Sequence, residues 1–268
     1  SHIYLAMGMW DEVISSNINS YQASLNRMER KNLDNNARGY HAYHWLQYGY
    51  LQKENMEEAK NMLLIIDKLA SETPSKKGRS HLVYLKGTYL INSENWDSDE
   101  ANIEFDITDL NVSIRSQYYF IEGMKAYKKG DIAQLEQAIV TLENDYKRES
   151  FIASDQGGSF CSGISRDLAT QSDLVGAQVR QNQLLALRAN LDNDLEQAEA
   201  FFLTSIALNE SISYSYGPPS IQKPTRELYA DWLLNQNRMG EAKLQYERSL
   251  KMNPNRTLVV TGIKNTTI

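Results

Sequence analysis

The sequence predicts an all-α fold, an α-α superhelix made of helical hairpins stacked in chain order. Three observations predict it. Prolines are few and separate apolar runs of helical spacing, alternating strand patterns are nearly absent, and one short turn-centred pattern recurs along the chain.

The prolines come first because they mark where helices cannot continue. There are five, Pro74, Pro218, Pro219, Pro224 and Pro254, and proline removes a backbone donor and clashes with the preceding turn. Between them, apolar residues recur at helical intervals, as in Trp45, Leu46, Tyr50 and Leu51, or Leu184, Leu185, Leu187 and Leu191. Only Val83 to Leu85 and Phe105 to Val112 read ambiguously as strand.

The recurring pattern starts at Leu5-Ala-Met-Gly8-Met-Trp10-Asp11-Glu12 and returns as Leu51-Gln-Lys-Glu54-Asn-Met56-Glu57-Glu58-Ala59. Further copies are Ile91-Asn-Ser-Glu94-Asn-Trp96-Asp97, Tyr127-Lys-Lys-Gly130-Asp-Ile132-Ala133, Leu195-Glu-Gln-Ala198 after Asp192-Asn193, and Leu234-Asn-Gln-Asn237-Arg-Met239-Gly240-Glu241-Ala242. Each reads as a helix, a tight turn, and a second helix. Gly and Asn tolerate the left-handed conformation that ends a helix. Acids in the next first turn complement its positive end. A small residue in the second helix lets the two backbones approach.

This pattern resembles the tetratricopeptide repeat (TPR) family. The last copy carries the likeness best, with Ala230, Asn237, Ala242, Tyr246, Ser249 and Pro254, and the second follows with Leu46, Tyr50, Glu54, Ala59 and Leu63. Ser1-His2-Ile3, the stretch from Tyr40-His41 to Gln52, and Gly217-Pro-Pro-Ser-Ile-Gln-Lys-Pro224 are similar to a group of bacterial TPR proteins, and that likeness implies fold rather than activity. About six degenerate hairpins are expected, at 1–38, 39–78, 79–110, 111–149, 171–216 and 223–268. A Gly/Ser-rich connector at 150–170 is expected on the surface. The acidic run 97–110 shortens or removes the second helix of the third hairpin, and 217–224 reads as a linker.

Composition narrows the function. Net charge is −6, which repels a phosphate backbone, so nucleic acid is not an expected partner. No run approaches 18 consecutive apolar residues, so no membrane span is expected. The single cysteine, Cys161, forms no internal disulfide and fits a reducing, cytoplasmic address. The opening Ser-His-Ile-Tyr-Leu looks like mid-helix without an initiator methionine and reads as the C-terminal part of a longer protein.

No phosphate loop, Gly-x-Ser-x-Gly elbow or His-Glu-x-x-His helix is present, so an enzyme is not expected, and no cofactor is implied. Gly157-Gly158-Ser159 lacks the lysine of a phosphate loop, and Cys161 reads as a loop thiol without a neighbouring histidine in sequence. The TPR resemblance implies that first-helix positions 2, 5, 9 and 12 line a concave, peptide-binding groove. In that register His2, His41, His44, Tyr48, His81, Tyr84, Phe120, Met124, Tyr127 and Arg180 face inward. Three readings stay open. These side chains pack between helices, they grip a peptide or protein partner, or His2, His41 and His44 bind a metal with help from a neighbouring acid. Trp10 and Trp96, equivalent in two copies, read as packing residues. The basic runs Lys76-Lys77-Gly-Arg79 and Lys125, Lys128, Lys129 read as a solvated joint and a favourable helix end.

Overall fold

The structure, a computed structural model, describes residues 1–73, 75–155, 168–213 and 217–267. Among these residues every regular element is helical. They are α1 (His2–Ala6), α2 (Trp10–Lys31), α3 (Tyr40–Gln52), α4 (Met56–Glu72), α5 (Lys76–Ser93), α6 (Val112–Lys129), α7 (Ile132–Asp155), α8 (Gln171–Leu191), α9 (Leu195–Glu210), α10 (Thr225–Asn235), α11 (Met239–Met252) and α12 (Thr257–Asn265). Val83 to Leu85 lies inside α5, and 105–111 forms no regular element, so neither ambiguous run is a strand. The acidic stretch after α5 holds only a 3-10 turn, Asp99–Asn102, before α6 begins. Pro74, Cys161 and Gly157-Gly158-Ser159 lie outside the described residues, as does most of the 150–170 connector. Its first residues, through Asp155, continue α7 as helix.

The turns carry the repeat. Gly8, Glu54, Glu94, Gly130, Asn193 and Asn237 all have positive φ, between 54° and 68°. In five of them the same two bonds close the preceding helix. At Gly130, for example, Gly130 N–H donates to the Tyr127 carbonyl at 3.0 Å and Asp131 N–H to the Ala126 carbonyl at 2.9 Å. That pairing consumes carbonyls that the helix end would otherwise leave open. The next residue often caps the second helix from its side chain. Asn55 accepts from Glu58 N–H, Asp131 from Gln134 N–H and Asp194 from Gln197 N–H. One turn into that helix, Val13, Ala59, Leu135, Ala198 and Ala242 are each fully buried against the first helix.

The chain divides into two compact units, Ser1–Asp106 with Ser215–Ile268, and Ile107–Tyr214. In the second, α6 packs on α7 and α8, α7 on α8, and α8 on α9. Leu184 lies against Gly123, where a Cβ would stand 2.7 Å from its methyls. Arg115 is buried beside Asp145 at 2.8 Å and Glu149 at 2.7 Å, so α6 and α7 share a paired charge as well as apolar surface.

In the first unit α2 packs on α3, α3 on α4 and α5, and α4 on α5. The C-terminal hairpin then departs from simple chain order. It packs α10 on α11 and α11 on α12, and its turn at 254–257 is bonded to the start of the chain. Trp10 Nε1 donates to the Asn255 carbonyl at 3.0 Å, and Gly8 is tight against Pro254. Thr257 gives its N–H to Gln52 Oε1 at 3.0 Å and its hydroxyl to the Gln52 carbonyl at 2.6 Å. Trp10 and Trp96 serve packing. Trp10 meets the Tyr48 ring edge-on at 5.6 Å, and Trp96 is buried with its indole N–H on Glu94 at 3.1 Å. In the run from Lys76 to Arg79, Lys76 and Lys77 are exposed, and two of its cations also make contacts. Lys77 reaches the Asn36 carbonyl at 3.0 Å and Arg79 the Asp106 carbonyl at 2.7 Å, tying α5 to both flanking segments.

Candidate functional site

Three helices of the first unit carry the chain's four histidines in two groups of contacting rings, joined through the sequence of α3. α3 places His41, His44 and Trp45 within about one turn, and residues three or four apart share a helix face. α1 adds His2, whose ring lies 4.5 Å from Trp45 and 6.0 Å from His41. His41 and Trp45 are themselves 4.5 Å apart. From α5, Tyr84 stacks on His44 at 5.3 Å and lies edge-on to His81 at 5.7 Å. Tyr40 closes the far end, 5.1 Å from His81.

Exposure grades across the array. His2 and His41 are exposed, His44, His81 and Tyr84 are partly covered, and Trp45 and Tyr40 are buried beneath. His44 Nε2 is bonded to Thr88 Oγ1 at 3.0 Å, and His81 Nδ1 to the Lys77 carbonyl at 2.9 Å. Burial, reinforced by the neighbouring His81 and His41, pushes His44 down to about 3. Burial also lowers His81, to about 4, and lowers His41, with His2 adding to the latter. These three rings are therefore neutral at pH 7. The face is aromatic and polar, with the Lys77 ammonium 5.5 Å from the Tyr40 ring.

Five of the residues expected in the groove are elsewhere, Tyr48, Phe120, Met124, Tyr127 and Arg180, and all but the half-buried Tyr127 are fully covered. Tyr48, Phe120, Met124 and Arg180 are buried, at 3% exposure or less, and line no open surface. Tyr48 packs with Leu5, Val13 and Trp45, and its hydroxyl accepts from Arg256 at 3.1 Å. Phe120, Met124, Tyr127 and Arg180 belong to the second unit. There Tyr127 accepts from Asn190 at 3.1 Å and Arg180 donates to Ser116 Oγ at 3.2 Å. Helical periodicity marks both the inner face and the seam between helices, and the four fully covered residues fall in the seam.

The metal reading also fails on geometry. Among the described residues no three His, Cys, Asp or Glu side chains are grouped closely enough to hold an ion. His2 and His41 turn to Trp45, while His44 turns to Tyr84 and Thr88, so the three do not converge.

The sequence reading missed a buried ionic network in the same unit. Arg256, fully buried, meets both Glu227 oxygens, Nε at 2.5 Å and NH2 at 3.1 Å. Lys223 reaches Glu227 at 2.9 Å and Asp231 at 2.6 Å, and Tyr246 donates to Asp231 at 2.6 Å. Burial alone would raise the Glu227 carboxyl, but Arg256 and Lys223 outweigh it and hold the group at about 2. Arg256 continues to Tyr48 and to Asn92, and Asn92 accepts from Gln52 at 3.1 Å. The network thus joins α3, α5 and α10. The one signal in sequence was Lys223, Glu227 and Asp231 at successive intervals of four, which puts an acid pair on one face of α10 behind a lysine.

Among the described residues no helix is long and apolar enough to cross a membrane. Compared with protein-family models, with curated proteins and with solved structures, the chain matches none.

Proposed function

We propose that the chain is a protein-interaction scaffold, a superhelix of tetratricopeptide-type hairpins that binds a peptide or partner segment across the His/Tyr face of α1, α3 and α5. The observation that carries the reading is the ring array itself. Seven rings contact one another in two groups, His2, His41 and Trp45 in one and His44, Tyr84, His81 and Tyr40 in the other, and the rings of His2 and His41 are open to solvent over a buried Trp45. Rigid aromatic anchors of this kind supply contact area at low entropy cost, and they are where binding energy concentrates. Uncharged imidazoles and the Tyr84 ring add directional hydrogen bonding that can choose among partners. The repeated turn geometry supports the hairpin assignment, because five separate turns, at Gly8, Glu54, Gly130, Asn193 and Asn237, reach one backbone solution from three residue types.

Peptides selected by display against the full chain test this reading. The double variant His41→Ala, Tyr84→Ala is expected to weaken a selected peptide at least tenfold, about 1.4 kcal/mol, with helicity by circular dichroism unchanged. Undiminished binding by that variant, or a helicity loss that accounts for the weakening, overturns it.

A further inference from the structure

The segment from Gly217 to Pro224 contains three prolines and no helix, yet it is not a solvated linker. Pro218 and Pro219 are half-buried and Ser220 is exposed, but Ile221 to Pro224 are buried within the first unit, as the core of a bound peptide would be. Gly217, at φ 142°, lies flat on the Trp45 indole, where a Cβ would stand 2.9 Å from Cζ2. Ile221 is 4% exposed. The Gln222 amide fills the space over Gly87 of α5, which any larger residue would occupy, and its Nε2 donates to the Val83 carbonyl at 3.4 Å. Gln222 Oε1 is buried without a hydrogen-bond partner. Lys223 ends the run on Glu227 and Asp231. Aromatic stacking, an apolar anchor, an amide over a glycine and a lysine between two carboxylates are the elements of extended-peptide recognition.

We propose that Gly217–Pro224 is an intramolecular strap, a peptide ligand held in cis on α3 and α5, which competes with an external segment for the surface beside the histidine face. Trp45 connects the two, since the rings of His2 and His41 each lie 4.5 Å from it and a Cβ on Gly217 would stand 2.9 Å from its Cζ2. The external ligand this site takes is accordingly an extended, proline-bearing peptide with an Ile-Gln-Lys-like core. The proposal rests on the interaction reading above but is tested without the exposed rings. The unpartnered Gln222 oxygen supplies a reason for exchange, because a buried acceptor without a donor weakens the bound state.

The test uses the full chain. In the variant Ile221→Asp, Gln222→Ala the strap loses its anchor and its amide while Gly87 and the Trp45 platform stay intact. A fluorescent peptide of the native 217–226 sequence is expected to bind this variant at least tenfold more tightly than it binds the wild type. A peptide with the Gln222 position changed to Ala is expected to lose that gain. Equal binding to variant and wild type overturns the strap. Hydrogen exchange in the wild type gives a second measurement that needs no variant. Amides at 220–223 exchanging faster than those of α3 and α5 support a removable strap, and exchange at the global unfolding rate makes the segment core and overturns the proposal. Failure of either measurement leaves the His41 and Tyr84 result untouched, so the two readings stand or fall separately.

Discussion

His44 and His81 are neutral in the folded protein because burial lowers both, to about 3 and about 4. Unfolded histidine titrates near 6.5, so acidification below that value protonates the unfolded chain first. Folding stability is therefore complete above pH 6.5 and falls as pH drops toward the folded values, by about 1 kcal/mol per histidine per pH unit. Urea midpoints measured from pH 7 to pH 5 are expected to fall along this slope, and His81→Gln is expected to flatten it. A midpoint that stays level, or rises, on acidification contradicts the described burial. At the other end of the unit, Arg256→Met leaves Glu227 buried with half its charge partners, at an expected cost of about 3–5 kcal/mol. The double variant Arg256→Met, Glu227→Met should lose clearly less than the two single losses combined, because the pair acts as one. Additive losses in equilibrium unfolding would show no such coupling. The register implied by the TPR resemblance grouped His2, His41, His44, His81 and Tyr84, and four of them lie on just two helices, α3 and α5. It could not separate Tyr48, Phe120 and Met124 from them, because an apolar position at helical spacing suits a groove and a seam equally.

At the level of the element, the hairpin turns were the most legible feature. Their signal is local: a helix ends at a left-handed residue, and the next begins within two positions. Glu54 and Glu94 nevertheless occupy that conformation, at φ 59° and 54°, where side chains other than glycine are disfavoured. Glu54→Gly is expected to hold or raise stability by about 0.5 kcal/mol, and Glu54→Val to lower it by about 1 kcal/mol or more. Thermal unfolding of the two variants checks the order, and a Val variant as stable as the Gly variant contradicts the turn. The stretch from Gly217 to Pro224 is the non-helical connection its prolines imply, but the burial of Ile221 to Pro224 was not legible, for the opposite reason. Proline and glycine show that a segment is not helical, but what covers it depends on residues such as Gly87 and Trp45, more than a hundred positions away.

For the whole molecule, distance along the chain is what the sequence hid. Local pattern places the last hairpin at the end of a row, whereas Arg256, Asn255 and Thr257 bond to Tyr48, Trp10 and Gln52. Charge also divides unevenly. The first unit holds 19 basic and 19 acidic residues and the second 9 and 15, so the net charge of −6 belongs entirely to the second. A partner docking on the first unit should therefore bind with little dependence on salt, changing less than about threefold between 50 and 500 mM, where paired surface charges would be screened. A steep loss with salt would assign the contact to charge rather than to rings. The most direct measurement of the central claim is histidine modification by diethyl pyrocarbonate, read site by site in the free protein and with a selected peptide bound. In the free protein His2 and His41 react fast and His44 slowly, and the peptide protects His2 and His41. Equal reactivity of all four histidines, or a bound peptide that leaves His2 and His41 as reactive as before, contradicts it.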